Sequence, residues 1–241
     1  MEKENYESNF GDRYYVSSID ADDCKEWFLY KHYAHRLVNI VHAFGLFNKD
    51  KILQGVCTYG MPLNDNCCLM CGPDYKKNVL ELNRLIKNDG LPKNIQTWFV
   101  AQTFKILPKP FIILSYSDPN NGHNGYTYQA LNFMFTGLGG YPAEYIWNRR
   151  QITGRNICEH SWWGANNLPF DTKLTINENF LKVGGEIIPM KPKNRYVLFL
   201  GSKTDKRKMM KLLKWKVQPY PKGENKYYDA SFKCTVQLMM F

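Results

Sequence analysis

The stretch FIILSYSDPNNGHNG, residues 111–125, decides the reading of the fold. Its first six residues, Phe111 to Tyr116, are nearly all apolar, the composition of a strand buried on both faces at the centre of a sheet. Ser117, Asp118, Pro119, Asn120, Asn121 and Gly122 end that strand, because each is a turn former and none carries a β pattern onward. A polar loop at the carboxyl end of a buried strand is where open α/β sheets place their ligands. Two readings of the loop stand side by side. In one, the Asp118 carboxylate accepts hydrogen bonds from an exocyclic amine and His123 moves protons near neutral pH. In the other, Asp118 and Pro119 form a plain turn whose aspartate caps the next helix.

Working outward, VLELNRLI at 79–86 alternates as a strand, NDGLPKN at 88–94 breaks the chain, and the pattern from Ile95 to Ile106 predicts a helix. Downstream, Tyr128, Leu131 and Phe135 share helical spacing, so a second helix is expected over 126–135 with Gly137 as its stop. Toward the N-terminus, 13–19 reads as a strand and 20–33 as a helix capped by Asp20. Residues 38–47 and 52–59 form an antiparallel pair, and 61–77 is a loop rich in Pro, Gly, Asn and Asp. Further strands are expected at 145–147 and 195–200, and a basic amphipathic helix at 204–215. Prolines 169 and 189 and glycines 154, 164, 184 and 185 make 150–190 read as irregular. The order is that of an α/β protein with a mixed central sheet flanked by helices. The expected organisation is a catalytic core over 1–148, a loop-rich insertion over 149–194, and a basic strand-helix extension over 195–241 that completes the same domain.

With 241 residues, 44% hydrophobic and 22% charged, the chain fits one globular domain and excludes collagen, coiled coil and disorder. No apolar run approaches the roughly 18 residues that span a bilayer. The opening MEKENYESNF is acidic and polar, as expected of a protein without a secretory signal. Seven scattered cysteines suit reduced thiols in a cytoplasm. Cys67, Cys68 and Cys71 include one C-x-x-C spacing, but no second Cys or His pair lies at zinc-finger distance.

The charge is unevenly placed. Residues 191–241 hold 13 of the 32 Lys and Arg and three of the 22 Asp and Glu, leaving 19 of each sign in the rest and the whole net charge of +10 in the last fifth. A block this basic attracts a polyanion by counterion release, and Tyr196, Trp215, Tyr220, Tyr227 and Tyr228 within it are aromatics that could stack on bases. Double-stranded DNA is the expected partner, with Arg155, Arg195, Lys203, Lys206, Arg207 and Lys222 as candidate contacts. A solvated lysine-rich helix face is the competing reading. RNICEHSWWG at 155–164 reads equally as a DNA-contacting loop or as an aromatic plug over the core.

Two further motifs stay open. His32, His35 and His42 could join Asp118 or His123 in a two-histidine, one-carboxylate metal site, or be ordinary hydrogen-bonded histidines. FTGLGGY at 135–141 is similar to the glycine loop that binds S-adenosylmethionine, yet it follows a helical spacing, which suits a helix stop better.

Six blocks together carry a resemblance that covers most of the chain: KHYAHR at 31–36, AFGLF with ILQGVCTYG within 43–60, ELNRL at 81–85, SYSDPNNGHNGYTYQALNF at 115–133, RYVLFLG at 195–201 and PYPKGENKYYD at 219–229. In these blocks the sequence resembles the phage Mom DNA adenine-modification proteins, distant relatives of the GNAT acyltransferases. The resemblance implies a GNAT-like sheet with ELNRLI as central strand and FIILSY as the neighbour that splays away to open a cleft. It implies transfer of a carbamoylmethyl-type group to N6 of adenine in double-stranded DNA inside a phage-infected bacterium, protecting the DNA from restriction. It places Asp118, His123, Tyr116 and Tyr128 as catalytic, Asn83, Arg84, Lys93 and Asn94 at a small-molecule donor, and His32 with Tyr33 at iron. The donor is unidentified: acyl-CoA needs a basic, glycine-rich phosphate turn, and 88–94 offers one glycine, one lysine and an acid. Two other functions compete, an S-adenosylmethionine-dependent adenine N6-methyltransferase and a non-catalytic DNA-binding module.

Overall fold

The computed structural model describes residues 10–140 and 143–223. Residues 1–9, the 141–142 step and 224–241, with Lys226, Tyr227, Tyr228 and Lys233 of the basic block, lie outside the described residues.

In chain order the main elements are β1 (Tyr14–Ser18), β2 (His42–Asn48), β3 (Leu53–Gly60), the short α1 (Asp65–Cys68), β4 (Val79–Lys87), α2 (Ile95–Ile106), β5 (Phe111–Ser117), α3 (Tyr126–Ala130) and β6 (Met134–Leu138). They continue with β7 (Ala143–Trp147), β8 (Arg150–Ile152), α4 (Gly154–Cys158), α5 (His160–Ala165), α6 (Ile176–Lys182), β9 (Glu186–Pro189), β10 (Asn194–Leu200) and α7 (Lys203–Leu212). A seven-stranded sheet runs β1-β2-β3-β4-β5-β10-β6. Its β4–β5 pair is parallel and its other pairs are antiparallel, so the sheet is mixed as expected.

Alternation sorts the side chains to two faces. Leu80, Leu82, Ile113 and Tyr196 meet Ile95, Phe99 and Val100 of α2 on one face. Val79, Ile112, Leu114, Val197 and Phe199 meet Met209 of α7 and Met70 on the other. Phe99 is fully buried, and its truncation to alanine would cost about 3–5 kcal/mol.

Three local expectations are corrected. The helix expected over 20–33 is a 3-10 turn at Ala21–Cys24 followed by a π-helical stretch at Trp27–Lys31, with Trp27, Phe28 and Lys31 all buried. The helix expected over 126–135 ends at Ala130, Asn132 turns the chain at φ +60°, and Met134–Leu138 becomes a strand on β10. Gly137 therefore stops no helix; a Cβ there would stand 2.8 Å from the Gln218 amide that docks on β6. Residues 150–190, read as irregular, carry short elements: β8 and β9 flank β7, the strand expected at 145–147, in a second small sheet, and Ile157, Trp163 and Phe180 form a core under it. Trp163 is buried there and donates to the Ile157 carbonyl, so this part of 155–164 is an aromatic plug.

Candidate active site

β4 and β5 pair only at Val79↔Ile112, Leu80↔Ile113 and Glu81↔Leu114, although β4 runs on to Lys87 and β5 to Ser117. The cause lies on the other edge of β4. Thr58 of β3 stands opposite Arg84 while Tyr59 stands opposite Leu82, which makes Asn83 the extra residue of a β-bulge. A bulge bends its strand and increases the local twist, so β4 turns away from β5. A cleft of about 240 Å³ opens between them. Ser115 still reaches across, its hydroxyl donating to the Leu82 carbonyl at 2.9 Å.

One wall is the segment after the π-helical stretch. The Asn83 amide donates to the Asn39 carbonyl at 2.8 Å and accepts from the Thr58 hydroxyl at 2.7 Å. Arg84 donates to the carbonyls of Asn83 and Arg36 at 2.8 and 3.3 Å. Gly60 permits this docking, since a Cβ there would lie 2.2 Å from the Asn39 oxygen. His32, Tyr33 and Arg36 are thereby held against the cleft.

The other wall is the loop from Ser117 to Gly125. Asp118 is buried, its Oδ1 accepting from the Asn120 backbone N–H at 3.0 Å and side-chain amide at 2.8 Å. Its Oδ2 lies 3.4 Å from Lys193 Nζ. Asn120 also exchanges hydrogen bonds with the backbone of Lys191, both at 2.9 Å, which fastens the loop to the start of β10. Asp118 caps the 3-10 turn at Pro119–Asn121 rather than α3, whose N-cap is Gly125, and it also lines the cleft.

Electrostatics divides the lining groups. Burial pushes the Tyr116, Tyr128 and Tyr33 phenols above their ordinary range, so they stay protonated, with the Tyr116 hydroxyl bonded to Cys67 Sγ at 3.4 Å. Burial depresses His123, with the Asp118 charge working against it. Burial lowers His32 to about 3, aided by Arg84, Arg36, His35 and Lys193. Burial raises Glu81, with Lys193 and Arg84 opposing. The Glu81 carboxylate takes no hydrogen bond from the described residues, although Glu81 lines the cleft.

Asp118, His123, Tyr116, Tyr128, Asn83, Arg84, His32 and Tyr33 all line this one cleft. Lys93 and Asn94 do not. Both are exposed on the turn before α2, and Asn94 borders a separate groove with Trp98 and Leu131. Arg155 is exposed on α4, Lys203, Lys206 and Arg207 on α7, and Lys222 beyond it. Arg195 is committed inside the fold: Nε donates to Thr136 Oγ1 at 3.1 Å, Nη2 to the Thr136 carbonyl at 2.8 Å, and the guanidinium lies 3.7 Å over the Trp215 ring. Glu81, Arg36, Lys193 and Asn120 escaped the sequence reading. Glu81 looks like the solvent side of an alternating strand, and the other three mark themselves only through long-range contacts.

Neither implied cofactor fits its expected residues. His32 Nδ1 accepts from the Ala34 N–H at 3.0 Å, so in the neutral ring Nε2 carries the proton and has no lone pair for iron. No group of three His, Cys, Asp or Glu able to hold a metal occurs among the described residues. In the 88–94 turn Pro92 has no N–H, the Ile95 N–H is taken by the Pro92 carbonyl at 3.2 Å, and Asp89 brings a carboxylate, paired with Lys31 at 3.3 Å. That turn does not fit a coenzyme A pyrophosphate.

The sequence profile of the Mom protein family matches residues 13–222, a span that holds both walls of the cleft. The chain belongs to the Mom protein family. Methylcarbamoylase Mom of Escherichia phage Mu is 28% identical over 211 residues, 80% of this chain and 77% of its own. Among solved structures, yncA of Salmonella typhimurium, described as an acetyltransferase with its cofactor acetyl-CoA, aligns with a TM-score of 0.42 at 9% identity over 78% of this chain and 95% of its own. An N-acetyltransferase of Staphylococcus aureus Mu50 aligns with a TM-score of 0.41 at 11% identity over 78% and 99%. In this Mom-family chain KHYAHR forms one cleft wall, ELNRL the bulged strand, and SYSDPNNGHNGYTYQALNF the other wall. No helix among the described residues is long and apolar enough to cross a membrane.

Proposed function

We propose that this protein modifies the exocyclic N6 of adenine in double-stranded DNA by transfer of a carbamoylmethyl-type group, and so protects phage DNA from restriction. The observation that carries this reading is the family match over residues 13–222, whose most specific block closes around a single cleft. The amine is conjugated with the purine ring and is a poor nucleophile. It also takes part in base pairing, so the base is flipped into the cleft at a cost of about a few kcal/mol.

In this reading Asp118 Oδ2 holds the N6 amine and Glu81 accepts its proton, since Glu81 has a raised affinity for a proton and a carboxylate open to the cleft. A bond forms from N6 to the methylene carbon of an electrophilic carbamoylmethyl donor, and the donor's leaving group departs with the bonding pair. Tyr128, held protonated, donates a hydrogen bond to charge that develops on donor or ring, Tyr116 bonded to Cys67 shapes the wall, and His123 orients the base. Lys203, Lys206, Arg207 and Lys222 meet the DNA backbone.

The test is expression in bacteria, digestion of total DNA to nucleosides, and mass measurement of deoxyadenosine against an Asp118→Ala control. A carbamoylmethyl adduct that disappears in the control is the expected result. A methyl adduct would instead support the methyltransferase, and unaltered deoxyadenosine with salt-sensitive DNA binding would support a binding module.

A further inference from the structure

Arg84 is 8% exposed, and no carboxylate stands within ion-pair distance of it among the described residues. Its Nη1 and Nη2 reach only the carbonyls of Asn83 and Arg36, and its Nε is buried with no hydrogen-bond partner. A buried guanidinium without a counter-ion is unfavourable, because desolvation is not repaid by a paired charge. The Phe28 ring, 5.8 Å from the guanidinium, adds a weak attraction at most.

The surroundings make the deficit larger. Arg36 lines the same cleft, and its exposed guanidinium has no carboxylate partner among the described residues either. His32 beside them is neutral, and its Nε2–H is a donor because Nδ1 is occupied by the Ala34 N–H. Of the acids that face this corner, Asp118 is paired with Lys193, and Glu81 acts on Arg84 from beyond ion-pair contact. One end of the cleft therefore gathers two guanidinium groups and a ring N–H, with no carboxylate in ion-pair contact with either guanidinium among the described residues. Guanidinium and ring N–H donors are the groups that recognise carboxylate and phosphate oxygens.

We propose that Arg84, Arg36 and His32 form an oxyanion-binding subsite of the cleft that takes a carboxylate or phosphate group. The group belongs either to the small-molecule donor or to the target nucleotide. Only that choice rests on the function proposed above; the subsite itself does not require DNA modification.

The experiment is calorimetric titration of the full-length protein with inorganic phosphate and, separately, with acetate, at ionic strength held constant with chloride. One saturable site is expected for at least one probe. Arg36→Ala leaves the Arg36 carbonyl in place for Arg84 and should weaken that binding at least tenfold with an unchanged circular dichroism spectrum. Arg84→Gln should abolish it, and because Arg84 also fastens the loop, the Arg36 variant decides if the Arg84 variant misfolds. Repeating the titration on protein saturated with duplex DNA separates the sources: lost binding assigns the subsite to a nucleotide phosphate, retained binding to the donor. Absence of saturable binding, or equal binding in wild type and Arg36→Ala, overturns the subsite. Unmodified deoxyadenosine in cells with intact phosphate binding would sink the proposed reaction and leave the subsite standing.

Discussion

Lys193 Nζ stands 3.4 Å from Asp118 Oδ2, joining the start of β10 to the turn that follows β5. With the Asn120 amide bridging Asp118 and Lys191, it turns a flexible-looking Pro-Asn-Asn-Gly loop into a fixed wall of the cleft. The Lys193 side chain is 39% exposed, so this pair adds at most about 1 kcal/mol to stability. Its larger effect is on position, because it holds a carboxylate against the cleft.

Asp118→Asn separates the two roles of the residue. The amide oxygen can still accept from the Asn120 N–H, while the charge opposite Lys193 is gone. Expected are unfolding free energy within about 1 kcal/mol of wild type, DNA affinity within a few-fold, and adenine modification down at least tenfold. Asp118→Ala also loses the turn cap and should unfold about 0.5–2 kcal/mol more easily. Wild-type adduct levels in the asparagine variant would remove Asp118 from the reaction.

Glu81 is raised by burial, which fixes the sign of its pH effect. The folded protein holds this proton more tightly than the unfolded chain, so the contribution to stability is present below the ordinary glutamate range and is lost as pH rises through the folded value. Glu81→Gln should match wild type in acid and become the more stable of the two as pH rises. The same variant should abolish modification, whose rate in wild type climbs with pH as Glu81 loses its proton. Urea unfolding at acid and neutral pH, paired with adduct measurement, checks both halves.

Much of this arrangement is legible in the residues. VLELNRLI is a strand by its alternation, FIILSY by being a short apolar run closed by turn formers, and Ile95–Ile106 is a helix of the expected bounds. The 115–125 loop and its Asp118, His123 and Tyr116 follow from turn chemistry after a buried strand. Met134–Leu138 was illegible because Tyr128, Leu131 and Phe135 imitate a helical stripe, while the strand is made by pairing with β10, some 60 residues later in the chain. In the small β8-β7-β9 sheet the strand expected at 145–147 is part of β7, whereas β8 and β9, with three and four residues, are too short for period to show. Glu81 needed the bulge at Asn83, which no local pattern announces.

Arg195 tests the difference between a basic residue and a DNA contact. Its guanidinium is hydrogen-bonded twice to Thr136 and stacked on Trp215, which pins the segment after α7 to the sheet. Arg195→Ala should destabilise the protein by about 1–3 kcal/mol, from hydrogen bonds made by a charged group and a lost cation–π contact. Lysine should rescue little, since it lacks the planar fork. The slope of DNA affinity against salt should not change. A shallower slope with unchanged stability would make Arg195 a phosphate contact.

The α7 surface carries the opposite expectation. Ser202 and Asp205 form a capping box at its start and Met209 anchors it in the core, so the helix does not depend on its exposed cations. Replacing Lys203, Lys206 and Arg207 with glutamine should leave the unfolding transition within about 0.5 kcal/mol per site, the ordinary effect of surface changes. If these side chains neutralise phosphates, each loss removes a released counterion, and the log–log salt slope should flatten by about 0.9 per contact. Affinity should fall at low salt and converge with wild type at high salt. Modification at saturating DNA should be retained, because none of the three lines the cleft. An unchanged slope in the triple variant would leave α7 a solvated face and move the DNA-binding surface elsewhere on the protein.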